Sequence, residues 1–336
     1  QNYYNVHSIL NRIPGVYYRE EDGYGNFPNI SIRGGEGTRS DNVTIMEDGI
    51  LTAPAAYSAP SAYYSPNAAR MGGIEVLKGS SQIAHGPHTT GGVVNYLSTQ
   101  FPTDHSFYLR STYGSNSAFD IHGYWSDTSE GDFGNVGLLT EIYYRQTDGY
   151  RTIDAGNGYG GSDKTGFDLM EPMIKLYWEP NSDVYQRWEF KYGYTEFDAD
   201  ETYAGLTESD IASNPYRRYA GTFLDNIQTE HTRTYLKYLV EPADNLTLQV
   251  AAYYNEFERD WYKINKAGGQ SVSKVVADPI TYAAAFDDLR LLGTGSLGIK
   301  HNSRAYESKG VQFNFDYDTT IAGTEHNFTG GARFHT

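Results

Sequence analysis

The stretch RWEFKYGYT, residues 187–195, places Trp188, Phe190, Tyr192 and Tyr194 on one side of an extended chain and Arg187, Glu189, Lys191, Gly193 and Thr195 on the other, because successive side chains of a strand point to opposite faces. LTLQVAAYYN, residues 246–255, repeats the rule: Leu246, Leu248, Val250, Ala252 and Tyr254 stand against Thr247, Gln249, Ala251, Tyr253 and Asn255. Further segments of this kind are 106–113, 118–126, 136–145, 166–178, 233–241, 308–317 and 326–335, about nine strands in all. They are long for a soluble β-sandwich, and Trp and Tyr gather near their ends, as they do in strands that cross a bilayer. From residue 146 the connections alternate in length, long at 146–165, 197–232 and 263–307, short at EPNSDV, PADN and 318–325. Outer-membrane barrels alternate extended external loops with tight periplasmic turns in this way. A sandwich can alternate too, but a membrane barrel is the preferred reading. Nine strands would leave bare edges in lipid, so the chain is expected to be a piece of a longer one.

Composition bounds the alternatives. Among 336 residues, 31 Tyr and 15 Phe raise the aromatic share to 15% while the apolar share is 39%, a mixture suited to strands with two unlike faces. Mean hydropathy is −0.59, and no apolar run approaches the roughly 20 residues of a membrane helix. Cysteine is absent, which removes disulfides and thiolate metal sites. A formal charge of −16 argues against nucleic acid as a partner. The chain starts at Gln1 with no signal-type apolar segment and reads as a mature or truncated product.

The first hundred residues follow different rules. They are rich in small residues, with short strands expected at 30–33, 43–47, 74–78 and 93–97, helical spacing at Val6, Ile9, Leu10 and Ile13 closed by Pro14-Gly15, and an Asp48-Gly49 pair suited to a tight turn. GGIEVLKGSSQIAHGPHTTGGVVNYLST, residues 72–99, together with ILNRIPGV, ISIRGG and VTIMEDGI upstream and in order, resembles the plug domain of TonB-dependent outer-membrane receptors. APAAYSAPSAYYSP and ETYAGLTESDIASNPYRRYAG look most like the ferric dicitrate receptor branch.

The resemblance implies a mixed α+β plug domain inside a transmembrane antiparallel β-barrel of about 22 strands. Residues 1–100 would be the plug and 101–336 the first barrel strands and their loops. It further implies a receptor of the bacterial outer membrane, set in lipid, that binds a ferric chelate outside and imports it, driven by the inner-membrane TonB complex acting on a segment before the plug. Iron would enter only as part of the transported chelate, and no cofactor is expected. Cobalamin, another metal chelate or an oligosaccharide is the alternative cargo, and a soluble or surface β-rich binding protein is the alternative class. No nucleophile, base and orienter set is present, so the chain does not read as an enzyme.

By the same resemblance, EGTRSDN puts Thr38 and Arg39 at an apical loop that touches ligand; an Arg fork suits the carboxylates of a citrate-type chelate, and pairing of Arg39 with Asp41 or a wall acid is the other reading. Arg33 is expected to meet wall carboxylates. Tyr57 and Ser58 sit between prolines that stiffen their loop, ready for ligand or for wall tyrosines. His88 and Thr89 fall at a third apex; His85 is structural, and a metal site from His85 and His88 lacks a carboxylate. Arg217 and Arg218 are the only Lys or Arg of the acidic 197–232 loop, either capturing an anion or satisfying its acids. Arg290, after Asp287 and Asp288, is a weaker candidate of that kind. DAGNGYGGSD, 154–163, resembles a calcium loop without its regular acids and is expected to be flexible.

Overall fold

The computed structural model describes residues 7–35, 40, 42–52, 64–86 and 91–336. In the N-terminal unit β1 (Val16–Arg19) and β2 (Asn29–Ile32) form an antiparallel pair. β3 (Val43–Glu47), β4 (Ile50–Leu51), β5 (Met71–Leu77) and β6 (Gly92–Ser98) form a sheet of order β4-β3-β6-β5 in which β3 and β6 are parallel. Leu10, Ile30, Ile45, Val94 and Tyr96 join the two sheets in one apolar core. The helical spacing before Pro14 becomes a five-residue 3-10 helix, Ser8–Arg12.

Two local devices shape this unit. Asp48 (φ +52°) and Gly49 (φ +76°) both take the left-handed conformation, the type I′ geometry that matches strand twist in a two-residue hairpin. The expected tight turn is therefore present, with Asp48 at its tip. Gly91 and Gly92 admit no side chain: a Cβ would lie 2.4 Å from the Asn42 carbonyl oxygen in the first case and 2.6 Å from Ile32 Cδ1 in the second. The Gly-Gly pair is how β6 enters between its neighbours.

The remaining chain builds a curved wall. β7 (Ser106–Tyr113), β8 (Phe119–Gly131), β9 (Gly134–Thr147), β11 (Phe167–Glu179), β12 (Tyr185–Ala199), β14 (Asn226–Ala243), β15 (Leu246–Ala267), β18 (Arg304–Ile321) and β19 (Thr324–His335) run antiparallel, each beside the next, with β7 and β19 at the edges. These are the nine expected strands. Between them the long loops carry short pieces: β10 (Thr152–Ile153), α1 (Glu208–Ser213), β13 (Arg217–Arg218), β16 (Gln270–Ser271), α2 (Val272–Ala277), α3 (Ala283–Leu289) and β17 (Leu297–His301).

Several strands run further than their apolar alternation indicates. β12 continues to Ala199 and β15 to Ala267. Along β15 the outward positions change from Leu248, Val250, Ala252 and Tyr254 to Glu256, Glu258 and Asp260, while the buried inward positions run Ala251, Tyr253, Asn255, Phe257, Arg259 and Trp261. The strand does not slip; its outer face changes from an apolar band to an acidic stretch. Glu196, Glu230 and Glu258 sit directly opposite one another across β12, β14 and β15 on this outer face, just beyond the band. Within the band, Trp188 (37% exposed), Leu236 (45%), Val250 (39%) and Val311 (50%) point away from the protein, and the aromatic face of the sequence is the outward one.

A cation in the band should be far more costly than one beyond it. Reconstituted in lipid vesicles, the fold should lose about 2–4 kcal/mol on Val250→Arg, whereas Glu256→Arg, on the same face of the same strand, should cost about 0–1 kcal/mol. Urea titration in lipid vesicles measures both, and equal costs would contradict the assigned band.

Candidate functional site

The concave face of the wall grips the N-terminal unit through charge. Lys191 on β12 donates to Glu47 Oε1 and to Asp48 Oδ2, both at 2.6 Å. Lys237 on β14 donates to the Asp48 carbonyl at 2.7 Å, and Lys175 on β11 lies 3.8 Å from the Asp48 carboxylate. Arg233 reaches Glu47 at 3.4 Å. From within the N-terminal unit Arg70 donates to Glu47 at 3.2 Å and turns its Nε toward Glu171 of the wall at 3.3 Å. Glu47, Arg70, Glu171, Lys175 and Lys191 are all buried, so each charge depends on its partners. Burial raises the cost of the Glu47 and Asp48 charges, but the surrounding cations overcome it and hold both carboxyls well below the usual carboxylate range.

At the long-loop end, a cavity of about 450 Å³ opens where the N-terminal unit, the 200–225 loop and the wall converge. Residues 19–22 and Phe27 form one side, Glu201–Gly205 in the loop a second (residues 201–205), and Arg218, Ile227 and Trp261 close it. The Tyr150 hydroxyl, from the loop after β9, donates to the Asp22 carbonyl at 3.1 Å and ties that loop to the N-terminal unit. The Asp22 carboxylate is occupied by the backbone N–H groups of Tyr24, Gly25 and Asn26. Arg151 Nη1 donates to both oxygens of Glu201, at 2.7 and 2.9 Å.

Burial dominates the electrostatics. It pushes Glu201 up to about 7, with Asp22 adding to the rise and Arg151 and Arg218 opposing it. Burial, then the neighbouring Arg151, pulls Arg218 down to about 10. Asp225 accepts the Ile264 N–H at 2.6 Å and the Thr202 hydroxyl, and burial pushes it up to about 6. These two acids flank the segment that walls the cavity.

The two adjacent arginines part company. β13 pairs with β10, Thr152 with Arg217 and Ile153 with Arg218, and neighbours on a strand point to opposite faces. Arg217 is engaged by Asp154 at 2.5 Å and Asp210 at 2.7 Å, which describes the acid-satisfying reading, while Arg218 faces the cavity. Arg290 ends α3, 4.0 Å from Asp287 and over the Phe286 ring, outside the cavity. Thr38, Arg39, Tyr57, Ser58, His88 and Thr89 lie outside the described residues. Arg33, expected to meet the wall, is exposed at a turn with φ +56°.

The 154–163 stretch is a correction. It is closed by bridges from Ile153 to Ser162 and from Gly156 to Tyr159, and Asn157 N–H donates to Leu291 at 2.7 Å. Packing against the α3 loop orders what its glycines alone would leave free. Sequence reading missed Arg151, Glu201 and the inward lysines. The lysines carried a signal, since Lys175 and Lys191 interrupt apolar stretches on the face opposite the aromatics. Among the described residues no group of three or more His, Asp or Glu is placed to hold a metal ion.

Residues 1–93 match the family model described as TonB-dependent Receptor Plug Domain. The fold is similar to that of the ferric citrate transporter FecA in its unliganded form, at 20% identity and a TM-score of 0.72, covering 98% of this chain and 44% of that one. It is similar to the open form of the ferric-catecholate import receptor Fiu from E. coli K12, at 16% identity and 0.67, covering 99% and 46%. The pyoverdine outer membrane receptor FpvA from Pseudomonas aeruginosa PAO1, bound to pyoverdine, matches at 12% identity and 0.66, covering 97% and 43%. The chain spans less than half the length of these structures. The first 93 residues thus match a TonB-dependent receptor plug model, and nearly the whole chain shares the fold of these transporters and receptors.

Removing Lys191 takes from Glu47 and Asp48 their shortest ion pairs. Lys191→Met should destabilise the seated plug by about 3 kcal/mol, the low end for stripping one partner from a buried pair, because other cations remain. Urea unfolding with trypsin cleavage of the plug as readout checks this, and a loss under about 1 kcal/mol would show that the pairs add little.

Proposed function

We propose that this chain forms the plug and first barrel strands of an outer-membrane receptor that binds a ferric chelate outside and passes it to the periplasm, with the inner-membrane TonB complex supplying the energy. The observation that carries this reading is the cavity at the long-loop end, bounded jointly by plug, loop and wall, with Arg218 at its edge. A guanidinium offers paired donors to a carboxylate, the group that a citrate-type chelate presents. Similarity to transporters and receptors named for ferric citrate, ferric catecholate and pyoverdine supports the chelate class. The iron is cargo, held by the chelate.

Function on this reading is binding followed by displacement, with no bond in the cargo broken. The loops close over the chelate, and the plug, held by Glu47 and Asp48, is the element that has to move for the cargo to pass. Calorimetric titration of the intact receptor with ferric citrate, a ferric hydroxamate and cobalamin tests the class. Ferric citrate should bind, and Arg218→Ala should weaken it by about 2 kcal/mol, roughly thirtyfold, as expected for a lost hydrogen bond to a charged group. Arg290→Ala should change it less than about twofold. Preferential binding of cobalamin, or an unchanged affinity in Arg218→Ala, would overturn the assignment.

A further inference from the structure

The cavity that would receive an anion is lined by more acids than bases. Arg19 and Arg218 stand there with Glu20, Glu21, Asp22 and Glu201. An anionic chelate entering with all four carboxyls ionised would meet net repulsion. Three of the acids offer little scope for change. Glu20 and Glu21 are exposed, where water screens them, and Asp22 is buried with its carboxylate bound by three backbone N–H groups of its own turn.

Glu201 differs. Its side chain is 14% exposed, and its two oxygens share one guanidinium nitrogen of Arg151. Facing it are Arg151 and Tyr150 from the loop after β9, Arg218 from β13, and Asp22 from the plug, while Asp225 and Lys263 stand behind its neighbour Thr202. Arg151 is bound to this carboxylate, and the Arg218 guanidinium, which donates to the Arg217 carbonyl at 2.7 Å, lies near enough for its charge to act on it. Glu201 occupies the position, and satisfies the charge, that a carboxylate of the cargo would.

Resting on the reading of this cavity as the chelate site, we propose that Glu201 is a built-in competitor for it: a chelate carboxylate takes over Arg151 and Arg218 by exchange, and the displaced Glu201 takes up a proton from solvent. One O–H bond forms on the Glu201 carboxyl, and the local charge is unchanged because one carboxylate replaces another. A buried carboxylate that loses its cation and gains an anionic neighbour is held in its neutral form by both changes. The geometry thus makes Glu201 a determinant of specificity. It favours ligands that bring negative charge and imposes a cost on neutral ones, which displace the carboxylate without replacing its charge.

The sign of the pH dependence follows. Free Glu201 titrates near 7, so below about pH 6 it is already neutral and exchange needs no proton. Above 7 the proton must be supplied on binding, and affinity weakens by up to about tenfold per pH unit. Ferric citrate is the probe, titrated into the intact receptor and into its Glu201→Gln variant from pH 5.5 to 8. Taking the ratio of the two Kd values cancels the protonation of the chelate itself. Expected is near-equal affinity at pH 5.5 and about tenfold tighter binding by Glu201→Gln at pH 8. Binding heats in two buffers of different ionisation enthalpy should show wild type taking up close to one more proton than the variant at pH 8. A pH-independent ratio, or equal proton uptake in both proteins, overturns the proposal and leaves the chelate site standing. Failure of both proteins to bind ferric citrate at any pH removes the chelate site, and this proposal with it.

Discussion

The structure depends on how one tight turn meets one wall. The type I′ turn at Asp48-Gly49 projects two adjacent carboxylates from the end of β3, and the wall answers with Lys175, Lys191, Arg233 and Lys237 from three neighbouring strands. None of these groups tolerates isolation from water. The plug therefore has a single seat at which all are paired, and sliding it by one residue along β12 would bring Tyr192 or Phe190, which point outward, no closer to the acids. Such a contact specifies position more than it adds stability, because desolvation offsets much of the attraction.

That seat was legible in part. Alternation revealed the nine wall strands and which face points outward, since Trp188 and Val250 needed only a period of two to be placed. The same pattern showed Lys191 on the other face without showing what it meets. Strand ends were less visible. Beyond Tyr254 the outward positions become Glu256, Glu258 and Asp260, and a reader seeking apolar outward residues stops there, although the inward set, Phe257 and Trp261, carries the strand on. The outer face of a single strand thus turns from apolar to acidic partway along its length, while its inner face stays buried and mixed.

The candidate site was less legible still. NPYRRY drew notice as two cations in an acidic loop, but only the pairing of β13 with β10 sends Arg217 to Asp154 and Asp210 and Arg218 to the cavity. Arg151 and Glu201 lie fifty residues apart in sequence, and nothing local to either announces the other. Their meeting is a property of how two loops fold against the plug. Local rules likewise suggested freedom for 154–163, where glycines are dense, whereas contacts with the α3 loop hold it in place.

The lysines have one further implication. They are fixed on the barrel, whereas the acids they neutralise ride on the plug. Any displacement that withdraws the turn carrying Glu47 and Asp48 unmasks ammonium and guanidinium groups along one side of the lumen, from Lys175 to Lys237. The side of the wall left bare would then be electropositive and would attract any anion that reached it.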